Sequence, residues 1–409
     1  MKWQLLPFEE LYLIPSRNGI NRPSRMRGNG HKMINMGELF AYGRIRNPDM
    51  ELVPLNSREI EEFGVETGDL LFARQSLIAS GAGKCSIVVE VPEITVFEGH
   101  LIRVRLDQTK ADPLFYYYFF SSHEGNGSIQ SLVMQVAAAG IRGSELAKLP
   151  VPLPPIDIQR RIASILSAYD DLIENNSRRI ALLEESMRLL YREWFVRLRF
   201  PGYEHVRVVD GLPEGWEKTT IDQAFTILGG GTPSKGVQAY WQDGEINWFT
   251  PTDLTKAQAM FAEESISKIT ADGLANSSAK MFPPYSIMMT SRATIGAIAI
   301  NTTEACTNQG FIACLPTERV PLYFLFYWLK DHVDVFISHA TGATFKEITK
   351  GVFRQLPIIL PDQGTLLKYE ETVKPMSECV LNLQRQNKRL SEARDLLLPR
   401  LMSGEIDVS

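Results

Sequence analysis

Cysteine is scarce: Cys85, Cys306, Cys314 and Cys379 are the only four in 409 residues, and no two form a C-x-x-C pair. That excludes a disulfide framework or a thiolate metal site, and suits buried thiols in a reducing compartment. The six histidines (His31, His100, His123, His205, His332, His339) are scattered without ligand spacing. No run approaches the ~18 apolar residues of a membrane helix. The N-terminus MKWQLLPFEE has two glutamates where a signal peptide would hold its apolar core. The expectation is a soluble cytoplasmic chain with no membrane segment. Also missing are H-E-x-x-H, G-x-S-x-G, a G-x-G-x-x-G after a strand, Asn-Pro-Pro-aromatic, and a Lys two residues after an Asp or Glu. These absences exclude the common metallohydrolase, hydrolase, dinucleotide, amino-methyltransferase and metal-dependent nuclease sites, so no catalytic residue and no metal ligand is expected. Disorder is excluded by a composition 44% hydrophobic and 22% charged.

What the chain does contain is itself, twice. An offset of 207 residues places Leu149-Pro150 on Leu356-Pro357, Leu153-Pro154 on Leu360-Pro361, Asn175 on Asn382, Arg178 on Arg385, Leu183 on Leu390 and Leu189-Leu190 on Leu396-Leu397. Ahead of each copy lie about 150 residues with short β-prone runs: Cys85–Val89 and Leu101–Arg105 in the first, Ser286–Thr290 and Gly296–Ile300 in the second. Each region closes on an aromatic helix candidate, Pro113–Phe120 and Pro321–Trp328.

The two repeated segments carry heptads. Ile162, Tyr169, Leu183 and Leu190 alternate with Leu166, Ile173, Ile180, Met187 and Trp194; Met376, Leu383, Leu390 and Leu397 alternate with Val373, Val380 and Leu401. A 3.5-residue period keeps one seam on a partner, which predicts coiled-coil packing. Asn176 and Asn387 break the seams with register-fixing polar groups, and Pro375 predicts a kink or a late start in the second helix. If antiparallel, two such helices and two similar domains close into a ring with approximate two-fold symmetry.

The net charge of -5 conceals a basic stretch. Between Arg17 and Arg46 stand seven Lys or Arg against one acid, Glu38, interleaved with Asn18, Asn21, Asn29 and Asn35. Arg and Asn are the bidentate readers of guanine and adenine edges, and any cation can neutralise phosphate. Arg74 and Lys84 flank the loop Ser80-Gly81-Ala82-Gly83. The second region holds Gly229-Gly230-Gly231-Thr232-Pro233-Ser234-Lys235, which lacks the Gly-Lys-Ser/Thr order of a nucleotide phosphate loop. Arg292, Thr294, Asn308 and Gln309 lie near further tight turns.

The tandem plan, the Gly-Gly-Gly-Thr-Pro-Ser-Lys run, Tyr240-Trp241 with Gly244, Ile246 and Trp248-Phe249-Thr250-Pro251, Asn308-Gln309-Gly310-Phe311, and Leu153-Pro154-Pro155-Ile156-Asp157-Ile158-Gln159-Arg160-Arg161-Ile162 resemble the DNA-specificity subunit of type I restriction-modification systems. The first domain departs from the pattern: its Gly/Ser loop is displaced, and Glu98-Gly99-His100-Leu101 replaces Asn308-Gln309-Gly310-Phe311. The resemblance implies α/β (α+β) target-recognition domains in tandem duplication, separated by two long antiparallel coiled-coil helices in a pseudo-two-fold ring. Its segments are 1–155 (first recognition domain), 156–199 (first helix), 200–360 (second recognition domain) and 361–409 (second helix). It further implies a non-catalytic subunit that binds double-stranded DNA, each domain reading half of a split site. The helices set the spacer and dock two modification subunits that carry S-adenosylmethionine; two restriction subunits outside them use ATP and Mg. DNA contacts are expected at Arg22, Arg25, Arg27, Arg74 and Lys84, and at Thr232, Ser234, Lys235, Arg292 and Thr294. The helix interface is expected at Ile162, Leu166, Tyr169, Ile173, Ile180, Met187, Val373, Val380, Leu383 and Leu390. The alternatives are the specificity half of another restriction or phage-defence methyltransferase, and a coiled-coil scaffold that binds no DNA.

Overall fold

The computed structural model describes residues 3–76, 81–135, 139–342 and 344–408. They form two compact units, one of Met1–Glu174 with Asn387–Ser409 and one of Asn175–Gln386. The division falls in the middle of both long helices.

In the first unit the strands β1 (Tyr12–Asn18), β2 (Arg44–Arg46), β3 (Leu70–Ala73), β4 (Cys85–Glu90) and β5 (Leu101–Leu106) form a sheet in the order β1-β5-β3-β4-β2, with β2 and β4 parallel and the rest antiparallel. Leu70, Leu71, Phe72 and Ala73 are all buried, as are most residues of β4 and β5, so both faces are covered and the sequence runs apolar rather than alternating. Helix α1 (Pro113–Ser121), capped by Asp112, lays Phe120 edge-on against Phe8 and Phe72 at 5.0 and 5.1 Å. The start of α2 (Ile156–Tyr191) joins the same core through Ile162 and Leu166, which meet Leu401 and Met402 there.

The second unit repeats the plan. Strands β6 (Thr226–Gly229), β7 (Phe261–Ala262), β8 (Ile287–Thr290), β9 (Ile298–Asn301) and β10 (Phe311–Leu315) are ordered β6-β10-β8-β9-β7, the same permutation with the same parallel pair at one edge. Each unit also has a small sheet with one antiparallel and one parallel neighbour: His31–Ile34 between Glu51–Val53 and Thr95–Phe97, and Ile246–Phe249 between Lys268–Ile269 and Ala305–Thr307. Helix α3 (Leu322–Asp331) is the aromatic counterpart of α1, and its Phe324 meets Phe195 edge-on at 5.0 Å.

The last long helix, α4 (Gln363–Met402), runs antiparallel to α2 inside each unit. In the first, the Arg161 guanidinium donates to the Val408 carbonyl at 2.8 Å and Asn387 Nδ2 to the Ile173 carbonyl at 3.4 Å. In the second, Asn176 Nδ2 donates to Gln386 Oε1 at 3.4 Å and the Tyr369 hydroxyl to the Met187 carbonyl at 3.4 Å. Numbers rise along one helix as they fall along the other. The late start expected from Pro375 does not occur. Helix α4 begins at Gln363 and continues through Pro375, which with Glu371 is exposed, so water can take the one carbonyl the proline leaves unpaired.

Candidate nucleic-acid interface

The loops of the second unit that carry candidate residues leave one end of its five-stranded sheet. Gly229 at the end of β6 pairs with Ile312, Thr290 at the end of β8 with Phe311, and Met289 with Ile298. Gly230 passes so close to the neighbouring chain that an added Cβ would lie 1.9 Å from the Asn308 carbonyl oxygen and 2.3 Å from that of Thr307. Only glycine permits that approach. It lets Gly231 N-H donate to the Thr307 carbonyl at 2.9 Å and the Thr232 hydroxyl to Gln309 Oε1 at 2.6 Å. The indoles of Trp241 and Trp248 donate to the carbonyls of Ser234 and Gly231 at 3.0 and 2.9 Å, holding the loop from below. Thr232, Lys235, Thr250, Asn308 and Gln309 thus line an open polar cleft of about 500 Å³. Lys235 and Ser234 are exposed, and Lys235 has no ion pair among the described residues.

Ser291 N-H donates to the Gly310 carbonyl at 2.8 Å, bringing the turn between β8 and β9 to the same place. Arg292 and Thr294 are exposed on that turn, and Arg292 faces Glu347 at 3.8 Å. Glu347 belongs to an arm closed by reciprocal bonds between the Thr341 and Glu347 backbones, 3.0 and 2.8 Å. The Lys346 carbonyl accepts from Ala293 N-H, and Lys350 Nζ lies where a side chain on Gly229 would stand. All five residues expected in this unit therefore gather at one sheet end. Lys346 and Lys350 join them; no periodicity marks them in the sequence.

In the first unit the counterpart of the triple-glycine loop is Asn18–Ser24. Gly19 approaches the carbonyls of Phe97 and Glu98 as Gly230 does those of Thr307 and Asn308, and Ile20 N-H donates to the Phe97 carbonyl at 2.9 Å. The Gly/Ser run of this unit stands elsewhere, as its displacement in the sequence predicts. Gly81–Gly83 belong instead to the turn between β3 and β4, with Ser80 outside the described residues.

The expected contacts here are less available. Arg22 is tied to Glu59 at 2.5 Å and to the Pro54 carbonyl, and Arg27 to Glu51 at 2.6 Å. The Lys84 ammonium donates to the Phe40 carbonyl at 2.7 Å and lies over that ring, and burial lowers its pKa. Arg25 is exposed and Arg74 half-buried, neither with an ion pair among the described residues. The rest of the basic stretch is also matched: Arg17 by Glu62, Lys32 by Glu93, and Arg44 and Arg46 by Asp171 and Glu174 of α2.

The helix residues expected at a subunit interface face inward. Ile162 and Leu166 lie in the core of the first unit, and Met187, Val373 and Val380 in that of the second. Leu383 is buried, while Tyr169, Ile173, Ile180 and Leu390 are half-buried. Helix α2 leaves a different set exposed at heptad spacing, Ile165 and Leu172 in the first unit and Leu182 and Leu189 in the second, while α4 exposes Leu367 and Leu396. Sequence periodicity contained this second stripe beside the stronger one.

Among the described residues no helix is long and apolar enough to cross a membrane, and no three His, Cys, Asp or Glu are grouped to hold a metal ion.

A family model described as the type I restriction modification DNA specificity domain matches residues 27–185 and again 213–370. Two Methanocaldococcus jannaschii proteins named as type I restriction enzyme specificity subunits are similar. MjaX is 23% identical over 360 residues, covering 87% of this chain and 82% of that protein; MjaIX is 24% identical over 303, covering 72% and 69%. The crystal structure of a type I restriction-modification S subunit from M. genitalium shares the fold, with TM-score 0.62 at 14% identity over 100% of this chain and 97% of the other.

Proposed function

From its membership of the type I restriction-modification DNA specificity family, to which two copies of the family's domain assign it, we infer that this chain is the DNA-specificity subunit of such a system. Its work is recognition, in an assembly with DNA and the other subunits of the system. The observation that carries the finer reading is the repeated sheet end. One strand order presents loops of unrelated chemistry in the two units, as two readers of different half-sites require.

In this reading each unit takes one half of a bipartite target through the major groove. Lys235, Ser234 and Thr232 hold phosphate, while Arg292, Asn308 and Gln309 face base edges; Arg25 and Arg74 serve the first unit. The exposed stripe of Ile165, Leu172, Leu182 and Leu189 supports docking of two modification subunits on the helices. S-adenosylmethionine then belongs to those subunits, and ATP and Mg to restriction subunits further out, so this chain needs no cofactor of its own. Lys235→Ala is expected to weaken binding about equally on all sequences and to reduce the slope of log K against log salt by about one. Sequencing methylated adenines in cells carrying the system tests the whole reading: one split motif with two modified positions supports it, and a continuous motif overturns it.

A further inference from the structure

The arm from Thr341 to Glu347 presents a large apolar group that the unit does not use for packing. Phe345 is 59% exposed and belongs to none of the apolar clusters among the described residues. The arm's base is clamped by the two Thr341–Glu347 backbone bonds and by the Lys346 carbonyl on the β8–β9 turn. Near its tip Gly342 has φ +123°, and a Cβ there would lie 2.3 Å from the Phe345 carbonyl oxygen. Thr344, Phe345 and Lys346 are exposed, and the arm meets the β8–β9 turn where the Lys346 carbonyl accepts from Ala293 N-H and Glu347 faces Arg292.

We propose that Phe345 reads the 5-methyl group of a thymine in the half-site bound by the second unit. The inference rests on the DNA-recognition reading above and assigns it one further contact. The exposed side chains Arg292, Lys346 and Gln309 at this sheet end offer hydrogen bonds or charge. A phenyl ring offers neither, and the thymine methyl is the one apolar feature on the major-groove edge of the four bases. The scaffold does not demand an aromatic there. The first unit docks its corresponding segment in the same way, Ile141 N-H on the Arg74 carbonyl matching Ile348 N-H on the Ser291 carbonyl, yet residues 132–140 contain no aromatic and no charge.

The experiment uses the full chain co-expressed with the modification subunit of its system. The target is obtained by random-site selection, and thymines are replaced by uracil one at a time. One thymine in one half-site is expected to cost about tenfold in affinity when its methyl is removed. Phe345→Ala is expected to show the same loss on the thymine target and no further loss on the uracil one, while Phe345→Leu retains the thymine preference. Equal binding of Phe345→Ala and the parent chain to every template overturns the proposal. So does a Phe345→Ala loss of the same size on thymine and uracil alike, which would mark a wedge between base pairs. If the complex selects no sequence at all, the DNA-specificity reading fails with it; selection without a Phe345-dependent methyl effect removes this contact alone.

Discussion

Single residues show why the basic stretch of the first unit overstated its DNA-binding charge. Counted along the chain, seven cations face one acid; in space their partners are Glu51, Glu59, Glu62, Glu93, Asp171 and Glu174, all beyond the stretch itself. Composition is local and ion pairing is not. Close approach, by contrast, can be probed directly. Gly230→Ala must push the backbone of Thr307–Asn308 aside, and a loss of ~1–3 kcal/mol is expected in thermal or urea unfolding, with specific DNA binding lost. A second residue gives a pH signature. Glu370 accepts from Phe324 N-H at 2.8 Å near the start of α3, yet burial raises its carboxyl pKa to about 7. Folding therefore favours the protonated form. The stabilisation is complete below the unfolded value near 4.5 and is lost as pH rises to about 7, on the order of 3 kcal/mol. Glu370→Gln keeps the acceptor and cannot ionise, so its unfolding midpoint should lose that slope between about pH 4.5 and 7.

Among elements, the long helices were the most legible because a heptad repeat is written in neighbouring residues. Their partner was not, since the seam of each half faces its own α/β unit as well as the opposite helix. The two units solve that contact differently. In the second, Tyr191, Trp194, Phe195 and Tyr369 pack in an aromatic cluster. In the first, buried Asp170 accepts from the Tyr118 hydroxyl at 2.6 Å and pairs with Arg394. Removing Arg394 leaves that carboxylate short of a partner in a dry site, so Arg394→Ala should cost ~3 kcal/mol or more. Asp170→Asn combined with Arg394→Met should cost less than Arg394→Ala, a sign that a double-mutant cycle in urea can read. The recognition arm was illegible for a plain reason: a short bridged loop has no period, and Phe345 looks like any other core aromatic until its exposure is known.

At the two recognition ends the cations free for DNA are Arg25, Arg74, Lys235, Lys346 and Lys350, exposed or half-buried and without an ion pair among the described residues. At about 0.9 counterions per phosphate contact, these five give the chain alone a salt slope of about 5 or less in magnitude, and a steeper one is expected once the modification subunits are added. Titrating DNA at several salt concentrations with and without them checks this. The duplication also bears on how the molecule is made. The unit of residues 175–386 is a single unbroken stretch, whereas the other is sewn from the two ends of the chain. A ribosome adding ~5–20 residues per second finishes Glu174 roughly 10–45 s before it reaches Met402. During that interval Ile162 and Leu166 wait uncovered for Leu401 and Met402, and the middle unit, which ends at Gln386, has its last residue only roughly 1–3 s before Met402 is added.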